Sequence, residues 1–137
     1  LKLPITLSYT YTDTELKTSF ISPIWGTVTP GDEIPYIPKN QISLMADLEY
    51  QKFQFAIGYR YVDAFRTQAG KGTIPQNYKV DSYFVFDSSA KYLVSKNLRV
   101  MINIINLFDA ENAISRSPAG LRPAHPFGIN AGIAAHF

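Results

Sequence analysis

Asn130-Ala131-Gly132-Ile133-Ala134-Ala135-His136-Phe137 is the stretch on which the fold of this chain turns. Ala131, Ile133, Ala135 and Phe137 fall on one side of an extended segment, with Asn130, Gly132 and His136 on the other. That is the two-residue period of a strand with one apolar face. Phe127 and Ile129 continue the apolar register upstream, so the expected terminal strand starts near Phe127 and stops on an aromatic.

The same period recurs upstream, and a helical period is nowhere sustained. Leu3, Ile5, Leu7, Tyr9 and Tyr11 alternate with Thr6, Ser8, Thr10 and Thr12. From 41 to 50, Ile42, Leu44, Ala46, Leu48 and Tyr50 oppose Ser43, Asp47 and Glu49. Phe53, Phe55, Ile57, Tyr59 and Tyr61 follow against Gln54, Gly58 and Arg60. A fourth strand is expected from Tyr78 into the low nineties, with Val80, Phe84, Phe86, Ala90 and Tyr92 on the apolar face and Asp81, Asp87, Ser89 and Lys91 opposite. The fifth sets Leu98, Val100, Ile102 and Ile104 against Arg99 and Asn103. The fold class is therefore all-β, with six antiparallel strands and one domain over residues 1–137.

The connections separate a membrane barrel from a soluble sheet. Tight turns at Gln51-Lys52 and Ser95-Lys96-Asn97 alternate with long segments: Asp13 to Asn40, Asp63 to Asn77 and Ala110 to Pro126. All long segments thus fall at one end of the sheet, the arrangement of outer-membrane barrels with short periplasmic turns and long outer loops. In that register Tyr50, Phe53 and Tyr92 form one aromatic girdle, and Tyr9, Tyr11, Tyr59, Tyr61 and Tyr78 the other. A soluble sandwich or lipocalin-like barrel also alternates, but its connections are usually shorter.

Composition narrows the class further. No apolar run reaches the roughly 18 to 20 residues of a spanning helix, whereas a mean hydropathy of -0.06 suits strands with one apolar face. Cysteine is absent and only His125 and His136 could supply imidazole, so no metal cluster or cysteine nucleophile is expected, and no cofactor. A net charge of +2 gives no basis for nucleic-acid binding. The chain opens at Leu1, already within a strand-like segment and without methionine, and is expected to be a piece of a longer polypeptide. Six strands left open in lipid would expose two unpaired edges, each unsatisfied amide costing several kcal/mol, so further strands must complete the wall.

Several blocks carry a family resemblance. Asn130, Gly132, Ala135 and Phe137 resemble the terminal signal by which the bacterial barrel-assembly machinery recognises outer-membrane proteins. Gly31-Asp32-Glu33-Ile34-Pro35-Tyr36-Ile37-Pro38-Lys39-Asn40, Asn106-Leu107-Phe108-Asp109 and Ser115-Arg116-Ser117-Pro118-Ala119-Gly120-Leu121-Arg122-Pro123 resemble the carboxy-terminal part of the barrel of TonB-dependent outer-membrane receptors. The arginine-containing Pro-Gly loop is most similar to the ferric-citrate and siderophore type. Ala110-Glu111-Asn112-Ala113 and His125-Pro126-Phe127 depart from the family's usual pattern.

The resemblance implies a transporter with about twenty-two strands around a plug. It implies an outer-membrane location in contact with lipid and lipopolysaccharide, and energy delivered by TonB through an amino-terminal region absent from this chain. The remaining strands and the plug become expected partners, and an anionic ferric chelate the expected substrate. On the long loops, Arg66, Gln68, Arg116, Arg122 and His125, with Lys71, are the candidate ligand residues, because guanidinium forks bind carboxylates bidentately. Loop charges are often merely solvated or paired with lipopolysaccharide phosphate. A passive porin is the main alternative. A hydrolase using Ser115, Ser117, Asp109 and His125 is remote, since their spacing specifies no nucleophile and base.

Overall fold

The computed structural model describes residues 1–116 and 119–136, which leaves Ser117, Pro118 and Phe137 outside the description. In chain order its strands are β1 (Ile5–Tyr11), β2 (Phe20–Ser22), β3 (Gly26–Val28), β4 (Asn40–Tyr50), β5 (Phe53–Val62), β6 (Phe65–Arg66), β7 (Lys79–Val80), β8 (Tyr83–Ser95), β9 (Leu98–Ile105), β10 (Ala113–Ser115), β11 (Arg122–Pro123) and β12 (Gly128–Ala135). The long strands form one antiparallel sheet in the order β1-β4-β5-β8-β9-β12, so each pairs with its neighbour along the chain. The six short strands make separate hairpins, β2-β3, β6-β7 and β10-β11, one in each long connection. Among the described residues no helix is long and apolar enough to cross a membrane.

Register makes the two faces of the sheet chemically different. One row runs Leu7, Leu44, Tyr59, Phe86, and another Ile5, Ala46, Ile57, Ser88, Ile104, Ile129. Nearer the tight turns come Leu48, Phe55, Ala90, Ile102, Ala131 and then Tyr50, Phe53, Tyr92, Val100, Ile133. On the opposite face Asp47 aligns with Ala56, Ser89, Asn103 and Asn130, and Ser43 with Arg60. Because the side-chain period is two, a slip of one residue would interchange the faces entirely. Nothing among the described residues covers the apolar face: Leu44, Phe55, Phe84, Val100 and Ile133 are all exposed. Its two ends are aromatic, with Phe53 against Tyr92 at a ring distance of 4.9 Å and Tyr59 against Phe86 at 4.8 Å.

What is buried lies elsewhere. Val28, Asp32, Pro35, Val62, Phe65, Arg66, Thr67, Val80 and Asn106 are the buried residues among those described, and all sit at the long-loop end. Val62, Phe65 and Val80 form a small apolar core, flanked by Tyr36 and Tyr83.

Three sequence expectations need correction. The fourth long strand begins at Tyr83, not Tyr78, because Gln76–Tyr78 is a 3₁₀ turn and Lys79–Val80 pairs sideways with Phe65–Arg66. Val80 therefore leaves the apolar face and enters the loop core, where it is 1% exposed. Phe127 precedes β12, its N–H taken by Asp109 Oδ1 at 3.0 Å instead of by the ladder. The second tight turn shrinks to Lys96-Asn97, since β8 runs through Ser95 after a register shift beyond Leu93.

Candidate functional site

The three long connections fold onto one another as a cap over one end of the sheet. In the first, Gly31 has φ 92, a conformation open to glycine, and turns the chain so that Asp32 Oδ2 accepts from the N–H of Thr29 at 2.7 Å. Glu33 then pairs across to Gly70 of the second connection, its N–H donating to Gly70 O at 2.8 Å. Tyr36, at φ 63, donates its N–H to Arg66 O at 2.8 Å, and its ring lies 6.0 Å from Phe65. Ala69 N–H donates to Trp25 O at 3.1 Å.

An ion cluster closes the same junction. Arg66 is 4% exposed; its Nε donates to Glu33 Oε2 at 2.9 Å and its Nη2 to Gly72 O at 3.0 Å. Lys39 Nζ reaches the other oxygen of Glu33 at 2.7 Å. Burial alone would push the Glu33 carboxyl up, but hydrogen bonds and charge from Lys39 and Arg66 outweigh it and hold the group below its ordinary range. The Lys39 ammonium is raised in turn by its hydrogen bond to Glu33 and by that carboxylate's charge.

The third connection docks on the second and first. Arg116 Nε donates to Lys79 O at 3.0 Å, and Tyr36 Oη lies 3.4 Å from Ser115 Oγ. The β10-β11 ladder sets Ser115 opposite Arg122, so Arg116 and Arg122 stand at the same end of that hairpin.

The Asn106-Leu107-Phe108-Asp109 block closes β9. Asn106 and Asp109 both have left-handed backbones, φ 49 and 48, which asparagine and aspartate tolerate better than most residues. Asn106 Nδ2 donates to Ala110 O and to His125 O, each at 3.1 Å, while its Oδ1 accepts from Ala110 N–H at 3.0 Å. One side chain thus ties the end of β9 to the approach to β12.

The candidate ligand residues separate on this geometry. Arg66 is committed within the cap, where it joins two connections. Gln68 is half-buried near Gly26, and Lys71 is exposed. Arg116 is half-buried and braced by Nε, whereas Arg122 is exposed. His125 is exposed, with Nδ1 2.7 Å from Pro126 O, a contact that needs the proton on Nδ1. A cavity of about 610 Å³ beside the third hairpin is lined by Asp109, Glu111, Asn112, Leu121, Pro123 and Pro126, without either arginine. Sequence reasoning assigned no role to Glu33, Tyr36 or Lys39, although all stand in the quoted Gly31–Asn40 block. Of the assembly-signal residues, Asn130, Gly132 and Ala135 lie in β12, and Phe137 is outside the described residues. A Cβ on Gly132 would come within 3.2 Å of Met101 Cγ, so glycine makes room for the neighbouring strand there.

Residues 1–107 match the family model described as TonB dependent receptor-like, beta-barrel. This chain belongs to that family. Its members are outer-membrane proteins, and the six-stranded sheet is a portion of the receptor barrel wall.

Solved receptors extend the likeness beyond residue 107. The closed form of the ferric-catecholate import receptor Fiu from Escherichia coli K12 superposes on 98% of the chain with a TM-score of 0.77 and 21% identity. The siderophore receptor PiuA from Acinetobacter baumannii gives the same coverage and TM-score at 23% identity. FpvA from Pseudomonas aeruginosa PAO1, a pyoverdine outer-membrane receptor, matches 98% with a TM-score of 0.71 and 14% identity. The chain spans about a fifth of each of these receptors, 19%, 20% and 19% respectively.

Proposed function

We propose that the chain supplies wall strands and part of the outer mouth of a TonB-energised outer-membrane transporter for an anionic ferric chelate. The observation that carries this reading is the gathering of three long connections into one cap, with Arg116 and Arg122 together on its third hairpin, opposite an end made of tight turns. The siderophore receptors it resembles support an iron chelate as cargo. The cap faces the outside and the tight turns the periplasm. The apolar rows contact lipid hydrocarbon, consistent with the depression of about 570 Å³ lined by Phe53, Tyr92, Val100, Ile102 and Ile133. Lipopolysaccharide surrounds the outer rim. Further strands pair with the open edges of β1 and β12, and the plug lies against the polar face. Asn130, Gly132, Ala135 and Phe137 form the element that the assembly machinery engages.

Arg116 and Arg122 replaced together by alanine in the full-length receptor test the substrate reading. Binding of ferric citrate and of a ferric tris-catecholate, both anionic, should weaken, while a neutral ferric trihydroxamate is unaffected. Equal effects on all three, or none on any, would remove charge recognition from these residues. Uptake that persists after the proton-motive force is collapsed would favour a passive channel over an energised transporter.

A further inference from the structure

Arg66 is a candidate ligand residue that the fold has turned inward. At 4% exposure it cannot reach an arriving chelate without first breaking the bonds from its Nε to Glu33 and from its Nη2 to Gly72 O. A buried guanidinium needs such partners, since loss of one leaves a desolvated charge uncompensated. Its location gives it a different use. Arg66 forms β6, and its register partner in β7 is Lys79. The carbonyl of that same Lys79 accepts from Arg116 Nε at 3.0 Å. A continuous set of contacts therefore leads from Glu33 in the first connection, through Arg66 and Lys79 in the second, to Arg116 in the third. Tyr36 runs beside it, binding Arg66 O through its N–H and standing next to Ser115 through its hydroxyl.

We propose that the Glu33–Arg66 pair is a positioning device for Arg116, acting through the paired strands β6 and β7 to hold the third connection in place. The inference rests on Arg116 facing the ligand, but the device is a property of the cap and can be measured without ligand. Arg116 spends Nε on the backbone of β7, and its terminal amino groups make no hydrogen bond among the described residues. A guanidinium braced in this way loses less freedom when it binds than one that must be ordered by the ligand. Arg122 has no such brace from β7, which makes Arg116 the more preorganised cation of the two. The Glu33 carboxylate, held below its ordinary range by its two cations, stays ionised through neutral and mildly acid conditions, so the pair remains engaged there.

The chain contains no cysteine, so a labelled pair can be introduced at exposed Ala119 and at exposed Lys96 in the opposite turn. The full-length receptor, with other reactive cysteines removed, is spin-labelled at Ala119→Cys and Lys96→Cys, and the distance distribution is recorded in lipid without ligand. Glu33→Gln keeps the shape of the side chain and removes its charge; it should broaden the distribution. Arg66→Lys keeps the charge but has no second arm for Gly72 O, and should broaden it less. Asp81→Asn, which removes the charge of exposed Asp81 from its pair with half-buried Lys79, should leave it unchanged. Affinity for a ferric tris-catecholate should then fall roughly fivefold or more in Glu33→Gln. An unchanged distribution in both Glu33→Gln and Arg66→Lys would overturn the proposal whatever the affinity does. Broadening with unchanged affinity would uphold the positioning and count against Arg116 as a ligand residue.

Discussion

The backbone N–H of Asn106 donates to the Asp87 carboxylate at 2.9 Å, joining the end of β9 to the polar face of β8. Beside it, Leu107 N–H donates to Phe86 O at 2.8 Å, so the turn holds β8 through one side chain and one backbone carbonyl. Asn106 is 2% exposed, and the three bonds of its amide have no water to replace them. Asn106→Ala should destabilise the barrel by about 2–4 kcal/mol, from lost bonds and from a left-handed backbone no longer suited to its residue. Asp87→Asn keeps an acceptor oxygen and should cost much less. Denaturant unfolding in lipid vesicles gives both values, and equal costs would contradict the account.

The cap should depend on pH at both extremes. The folded Glu33 carboxyl lies below its ordinary value of 4.5, so its contribution is complete above 4.5 and disappears as pH falls through the lowered value. The Lys39 ammonium lies above its ordinary 10.5, so its contribution is complete below 10.5 and disappears as pH rises through the raised value. Hydrogen-exchange protection of the Glu33 and Tyr36 amides, corrected for intrinsic rates, should be flat between these limits. A fall centred near neutrality would point to a different group.

Wall substitutions should follow the register. Ile102→Arg places a charge on the apolar face in the middle of β9 and should cost about 2–4 kcal/mol if that face meets lipid at mid-depth. Asn103→Arg, one residue on, projects from the polar face and should cost far less. Comparable yields of folded protein from the two variants would be incompatible with the assignment of faces.

The two arginines of the third hairpin should not be equivalent. Arg116→Ala should lose about 1.5–3 kcal/mol of binding to an anionic chelate, the range of a desolvated charge-assisted bond. Arg122→Ala, at an exposed position, should lose less. Equilibrium titration of the single variants separates them, and the reverse order would contradict the bracing of Arg116 by Lys79 O.

The wall was legible in the sequence because a strand with one apolar face writes its register locally: Leu44, Phe55, Val100 and Ile133 could be placed from their immediate neighbours. The cap was not. Its strands are two or three residues long, too short to show a period, and its decisive pair, Glu33 and Arg66, is joined across a hairpin of the wall. Val80 shows how a local rule misleads. Its spacing from Phe84 fits the apolar face, but pairing with Phe65 diverts it into the loop core. Arg66 was read from its charge and its place in a long loop, and only the distant carboxylate explains its burial.

The burial pattern sets an order of assembly. Strands β4 and β5 meet across Gln51-Lys52, and β8 and β9 across Lys96-Asn97, so these hairpins can zip with little loss of chain entropy. Val62, Phe65 and Val80 gather only when the second, much longer connection closes on itself, and Tyr36 packs against them only when the first has been brought beside it. The sheet must come first and the cap last. The final step is then driven by water leaving a small apolar core at the long-loop end, so the sequence of that end can change while the hairpins below it assemble as before.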